Sequence, residues 1–311
     1  MEGNTCPLCH TAGSHFLFTG TDRLYGGPGS FAVRQCRACG VLYLDPRPTA
    51  EEMGAYYPDE YVPYASGRYL SAWQQWNLRL AISKQVRAVT ARMPQKGRAL
   101  DVGCATGDFL AALRTRGWRV QGVEINDRIA AYTRRTKGIP VFAGSLAEAG
   151  FEDGSFDLIT FWDVLEHLPD PRRTLMEAAR IARPSGLLVL SLPNPDSLEA
   201  RLFGPDWAGW DIPRHLWWFP RPVLRRLLAQ TGWEVQEFTC MRGRHWLLAL
   251  SLRLWLENRR TMPDTLRRGL LYLFQSPPSK VLLWPYFVII ERMGQGSILT
   301  AFARRKDENH A

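Results

Sequence analysis

The 311-residue chain lacks several features that would assign it quickly to a class. No stretch reaches the roughly 18 unbroken apolar residues that a membrane span requires. The first twenty residues carry no basic-then-apolar leader pattern, so a cytoplasmic address is the expectation. No G-x4-G-K-[ST] run is present, which excludes a P-loop. Lysine is scarce: only residues 84, 96, 137, 280 and 306 among 39 basic positions, the others being arginine. Arginine's planar fork suits phosphate and carboxylate groups, although a codon bias toward arginine would produce the same excess.

What is present is an ordinary globular composition, 46% apolar and 12% aromatic, too apolar for a disordered chain. The length allows one large domain plus a small module. The net charge of +9 is confined to one region. Residues 1–213 hold 23 basic and 23 acidic side chains, and residues 214–311 hold 16 and 7. An amino-terminal module that gripped nucleic acid would be basic itself, so nucleic acid is disfavoured as a partner.

Cys6-Pro-Leu-Cys9 and Cys36-Arg-Ala-Cys39 form two C-x2-C knuckles. Two such pairs supply four soft ligands in a tetrahedron, the shell of a structural zinc with no position open to water. A disulfide or redox pair is the rival, which a cytosolic chain disfavours. A segment of about 45 residues has little core of its own, and a metal would stabilise it. Residues 1–45 are therefore read as a zinc ribbon, and 46–74, rich in Pro and Tyr, as a linker that packs on something. A helix is expected from near Arg68 to Arg92, ended by Met93-Pro94.

Residues 98–109, RALDVGCATGDF, carry the most information. A strand ends in Asp101, a turn with Gly103 and Gly107 follows, and a helix starts at once, as in a nucleotide-binding βαβ unit. Glycine is needed where backbone bends sharply and lies against a ligand. A second strand ends in Glu124, an acid suited to the two hydroxyls of a ribose. Asp101 would repel a diphosphate and suit a cationic aminoacyl group. An acid-led loop followed by a ribose acid favours S-adenosylmethionine.

On these residues the chain resembles the class I methyltransferases over about residues 75–305. The resemblance implies an α/β fold: a seven-strand, doubly wound, Rossmann-like sheet with an antiparallel last strand. It extends the cofactor site from Asp101, Gly103, Cys104, Ala105, Gly107 and Glu124 to Ile125, Ser145, Leu146 and Trp162, with the adenine near Ser145 and Leu146. Ala105 replaces the family's central glycine, which is tolerable at negative φ.

The acceptor is less constrained. The [ND]-P-P-[YFW] clamp for base amines is missing, as is a Pro-Cys nucleophile for pyrimidine carbon. Asp163-x-x-Glu166-His167 would share one helical face and is similar to an element of the quinone O-methyltransferases, where the resemblance implies magnesium. The alternative is a loop that merely caps and packs. Residues 207–219, WAGWDIPRHLWWF, hold four tryptophans with Asp211, Arg214 and His215. They read either as a surface that stacks on sugars and rings or as a wedge in the core. Between His215 and His167, His215 is preferred as general base because imidazole titrates near neutrality.

Residues 242–296 form a helical insertion before the last strand, too apolar and too long for a plain loop. It reads as a packing subdomain, a pocket for a lipid-like acceptor, or a peripheral membrane contact through 244–292. Residues 281–290 carry no charge and should bend at Pro285. The zinc ribbon is also similar to that of the sugar C-methyltransferases. The expectation is methyl transfer to oxygen or carbon of a small-molecule, saccharide or lipid-linked acceptor. The rivals are an RNA methyltransferase and a non-catalytic cofactor-binding regulator.

Overall fold

Short aliphatic runs that carry little charge make strands buried on both faces, and such strands pair in parallel when helices separate them. The computed structural model describes residues 5–57, 72–242, 244–259, 262–275 and 277–306. The amino-terminal strands are β1 (Ser14–Gly20), β2 (Phe31–Cys36) and β3 (Leu42–Asp45). A short helix α1 (Ala50–Met53) follows, started by a Thr49–Glu52 capping box. The helix α2 (Ala72–Arg92) ends where expected; the proposed start near Arg68, and Tyr61, Tyr64 and Tyr69 of the linker, lie outside the described residues.

The main sheet uses β4 (Arg98–Val102), β5 (Arg119–Glu124), β6 (Val141–Ala143), β7 (Phe156–Trp162) and β8 (Ala182–Pro193). Between them lie α3 (Asp108–Arg114), α4 (Asp127–Lys137) and α5 (Pro171–Ile181). Asn126 caps α4 through its side chain, and Asp170 followed by Pro171 starts α5. After α6 (Leu198–Phe203), the two-residue strand β9 (Trp217–Trp218) and α7 (Arg221–Gln230) comes β10 (Trp233–Arg242). Helices α8 (Arg244–Glu257), α9 (Asp264–Gln275), α10 (Pro277–Leu282) and α11 (Trp284–Arg292) precede β11 (Ile298–Arg305). Pro285 stands in the first turn of α11, so it starts a new helix rather than bending one.

The seven-strand order is β10-β11-β8-β7-β4-β5-β6. β11 runs antiparallel to both neighbours, while β8, β7, β4, β5 and β6 pair in parallel. This is the doubly wound arrangement that the sequence implied.

The second sheet is β1-β2-β3-β9. Its fourth strand comes from the tryptophan segment: Leu42 pairs with Trp218 and Tyr43 with Trp217. One apolar core therefore runs from Val33 and Leu44 of the cysteine module through Trp207, Trp217 and Trp218 to Phe161 and Leu190 of the main sheet. Among the described residues, no helix is long and apolar enough to cross a membrane.

Candidate active site and cysteine cluster

β4 and β7 are neighbours whose following helices lead away to opposite halves of the sheet, so a crevice opens beyond their carboxyl ends. Asp101, near the end of β4, is buried and accepts a hydrogen bond from the Thr160 hydroxyl at 2.6 Å. The backbone then turns tightly, and Gly103 N and Cys104 N both donate to Val123 O, at 2.8 and 3.1 Å. Gly103 has φ +70°, and a Cβ there would meet Val164 Cγ2 at 2.5 Å. Gly107 has the same φ and would meet Thr133 Cγ2 at 2.5 Å.

Ala105 departs from expectation, with φ +44° rather than a negative value. It keeps the backbone path of a glycine at a cost of about 1–2 kcal/mol in left-handed strain. The turn is held on both sides. Ala105 N donates to Glu124 Oε2 at 2.9 Å, and the Thr133 hydroxyl donates to Ala105 O at 2.9 Å. Glu124 Oε1 also accepts from Asn126 N at 3.0 Å. Burial raises the Glu124 carboxyl's pKa, and these backbone hydrogen bonds oppose the rise. Glu124 thus braces the glycine loop, a role the sequence did not suggest.

Around this turn, Cys104 and Leu146 are buried, and burial pushes the Cys104 thiol up. Ile125 is exposed beside Glu124. Ser145 is exposed, and its amide donates to Glu148 at 2.8 Å. Trp162 packs edge-on against Phe109, with ring centroids 5.4 Å apart.

Asp163, Glu166 and His167 do not share a helical face. Asp163 adopts φ +59°, and only residues 165–167 form a single 3-10 turn. That turn is wrapped by the tryptophan segment. Leu216 N donates to Glu166 O at 2.8 Å, and Trp217 Nε1 donates to Leu168 O at 2.8 Å. The wrapping brings His215 to His167, ring centroids 4.6 Å apart. His215 Nδ1 is 3.0 Å from the Gly209 carbonyl, and His167 Nδ1 is 2.9 Å from the Arg214 carbonyl. A carbonyl only accepts, so each Nδ1 carries the proton and each Nε2 keeps its lone pair. Nε2 of His215 lies 3.8 Å from Asp211 Oδ2 and 3.9 Å from Glu166 Oε1.

His215 is buried and His167 half-buried. Burial lowers the His215 pKa and drives that of His167 to about 3, with His215 contributing in the latter case. The expectation of an imidazole that titrates near neutrality therefore does not hold, since burial favours the neutral form of both rings. Ligand atoms of Glu166, His167 and His215 lie within 4.8 Å of one another. Two imidazole nitrogens and one carboxylate do not match the all-oxygen octahedron of magnesium, so these residues do not fit the magnesium that the resemblance implied and that the sequence itself disfavoured.

The tryptophans are not an acceptor-stacking surface. Trp207, Trp217 and Trp218 are at most 1% exposed and Trp210 is buried as well, so they form the core wedge. Within the wedge, Arg214 is fully buried and reaches across to the cysteine module. Its Nη1 and Nη2 donate to Asp22 Oδ2 and Oδ1 at 2.9 and 2.8 Å. Its Nε and Nη2 also donate to Asp211 Oδ1, at 2.8 and 2.6 Å. Tyr57 adds a further link, its hydroxyl 3.0 Å from His167 Nδ1.

The four cysteines converge. Cys6 and Cys39 Sγ are 3.7 Å apart, and Cys9 and Cys36 Sγ 3.6 Å. Bonds of about 2.3 Å to a tetrahedral zinc require sulfur separations of about 3.8 Å, so the donor set and its spacing fit that metal. The hydrogen bond between the Cys6 and Cys39 sulfurs favours the thiolate on one partner and the thiol on the other, lowering the Cys6 pKa and raising that of Cys39.

A model of the methyltransferase domain matches residues 73–237 of this chain. The chain belongs to the methyltransferase-domain family. As a methyltransferase it is an enzyme that uses S-adenosylmethionine. It is similar to the O-methyltransferase resE of Aspergillus sclerotiorum, at 27% identity over 63% of this chain and 81% of that one. The ubiquinone biosynthesis O-methyltransferase of Thiobacillus denitrificans is 27% identical over 50% of this chain and 73% of its own length. Its counterpart from Hahella chejuensis is 33% identical over 41% of this chain and 57% of its own. Among solved structures, the [4+2]-cyclase SpnF aligns with TM-score 0.52 and 19% identity over 83% of this chain and 97% of that one, a likeness of fold.

Proposed function

We propose that this methyltransferase acts on oxygen or carbon of a small-molecule, saccharide or lipid-linked acceptor, with His215 as general base and His167 beside it. The observation that carries the reading is contact between the two halves of the crevice. Val164 lies against Gly103 so closely that a Cβ on that glycine would clash. The glycine loop is therefore packed against the segment that carries Glu166 and His167, with His215 beside them. Asp101, Gly103, Cys104, Ala105, Gly107 and Glu124 hold the cofactor, with Ile125, Ser145, Leu146 and Trp162 around its adenosine. When bound, the cofactor supplies an electrophilic methyl on a sulfonium. The chain's part is to position an acceptor and to take its proton.

For a hydroxyl acceptor, the proton moves to Nε2 of His215, whose lone pair is fixed by the hydrogen bond from Nδ1 to Gly209. The imidazolium formed lies about 4 Å from both Asp211 and Glu166, which offset the cost of charging a buried ring. With that proton taken up by His215, the acceptor oxygen would be free to accept the methyl that the bound cofactor would supply. The cysteine module, holding a structural zinc, keeps the wedge and hence both histidines in place through Asp22–Arg214 and the β3–β9 pairing.

The test is a cell-extract reaction with methyl-labelled cofactor, partitioned into lipid, saccharide and nucleic-acid fractions. Label entering the lipid or saccharide fraction, lowered by roughly 10²–10⁴ in His215→Gln with cofactor affinity unchanged, supports the reading. Label confined to nucleic acid, or full activity in His215→Gln, overturns it.

A further inference from the structure

The carboxyl-terminal helices are anchored from within and bare from without. α8 buries Leu247, Leu248 and Leu254 against the rest of the chain, and α11 buries Phe287 and Ile290. The other sides of α9, α10 and α11 carry large apolar side chains into solvent. Leu266 and Leu273 are two turns apart on one face of α9, and both are more than half exposed. Tyr272 beside them is 80% exposed, Val281 and Leu282 on α10 are 78% and 79% exposed, and Trp284 at the start of α11 is 58% exposed. Single exposed apolar residues are ordinary, but a series of them along consecutive helices marks a contact surface.

Charge identifies what the surface meets. Residues 244–292 hold eight basic and three acidic side chains. Two of those acids are engaged within the segment, Glu257 by Arg253 at 3.3 Å and Asp264 by Arg267 at 2.8 Å. Arg259, Arg268 and Arg292 remain exposed. Amphipathic helices that present aliphatic, Trp and Tyr side chains among arginines match the chemistry of an interface with anionic lipid. A phosphate groove offers nothing to Val281 and Leu282, and a second copy would bring a like-charged face against this one. We propose that α9, α10 and α11 seat the enzyme on an anionic lipid bilayer. The inference goes beyond the methyl-transfer reading and holds whatever the acceptor proves to be.

Flotation of the full chain, zinc-replete, with phosphatidylcholine vesicles and with vesicles containing phosphatidylglycerol tests it. Binding to the anionic vesicles should exceed that to the neutral ones by about tenfold and fall as salt is raised. Val281→Asp with Leu282→Asp should cut it by about tenfold again. The same double variant should keep its thermal midpoint and its affinity for S-adenosylhomocysteine, because both side chains are more than three-quarters exposed. No binding to anionic vesicles at low salt, or binding unchanged in the double variant, overturns the proposal. So does a dimer in sedimentation velocity that the double variant abolishes, because a second copy would then cover the face.

Discussion

Replacing Asp22 by alanine tests how the cysteine module is tied to the active-site wedge. Asp22 accepts both terminal nitrogens of Arg214 and the backbone amides of Leu24, Tyr25 and Gly27 at 3.1–3.2 Å. Both partners of the ion pair are fully buried. Removing one partner of such a pair costs about 3–5 kcal/mol because the other charge stays buried. Arg214 retains Asp211 and the Tyr56 carbonyl, so the low end, about 3 kcal/mol, is expected. Burial alone would raise the Asp22 pKa, and the Arg214 guanidinium with the backbone amides more than offsets it. Its folded pKa is therefore lowered, and its contribution is present above the unfolded value near 4 and lost as pH falls through the folded value. Urea denaturation of zinc-replete Asp22→Ala at pH 7 measures the loss. Asp153→Asn is the control, since its pair with Arg180 is 81% exposed on the acid side and should change stability by about 0.5 kcal/mol at most. A loss below about 1 kcal/mol in Asp22→Ala would refute the claim that this buried pair couples the two parts.

Ala105→Gly should stabilise the chain by about 0.5–1 kcal/mol in thermal or urea unfolding, because relief of positive-φ strain exceeds glycine's extra unfolded entropy. Glu199 is buried, and burial raises its pKa to about 7 despite a hydrogen bond from Ser297. A raised carboxyl pKa contributes stability below the unfolded value that is lost as pH rises through 7, so Glu199→Gln should gain up to about 3 kcal/mol at pH 8 and little at pH 4. His167, with its folded pKa lowered to about 3, should subtract up to about 1.4 kcal/mol per pH unit on acidification below 6.5, a slope that His167→Gln removes in pH-dependent denaturation. Metal analysis should find one zinc per chain, and a chelator should lower the thermal midpoint of the whole protein because β3 and β9 share a sheet.

What the sequence revealed was local. The strand, turn and helix of residues 98–114 are contiguous, and the chemistry that demands glycine at 103 and 107 acts within a few residues. The two C-x2-C knuckles were legible for the same reason. The Asp22–Arg214 pair spans 192 residues, and the pairing of Tyr43 with Trp217 a similar distance, so nothing in either neighbourhood announces them. The tryptophans looked like a binding surface because aromatic density signals a core as readily as a ligand. The helical face expected for Asp163, Glu166 and His167 failed because Asp163 turns the chain at positive φ. His215 then reaches the same place from a separate segment.

Calorimetric titration of the folded, zinc-replete chain with S-adenosylhomocysteine tests the central claim most directly, because it probes the crevice formed by Asp101, the Gly103–Gly107 turn and Glu124 without needing an acceptor. The account predicts one molecule bound per chain, displaced by S-adenosylmethionine and by neither ATP nor a nicotinamide dinucleotide. An absence of heat with both sulfur compounds would contradict it.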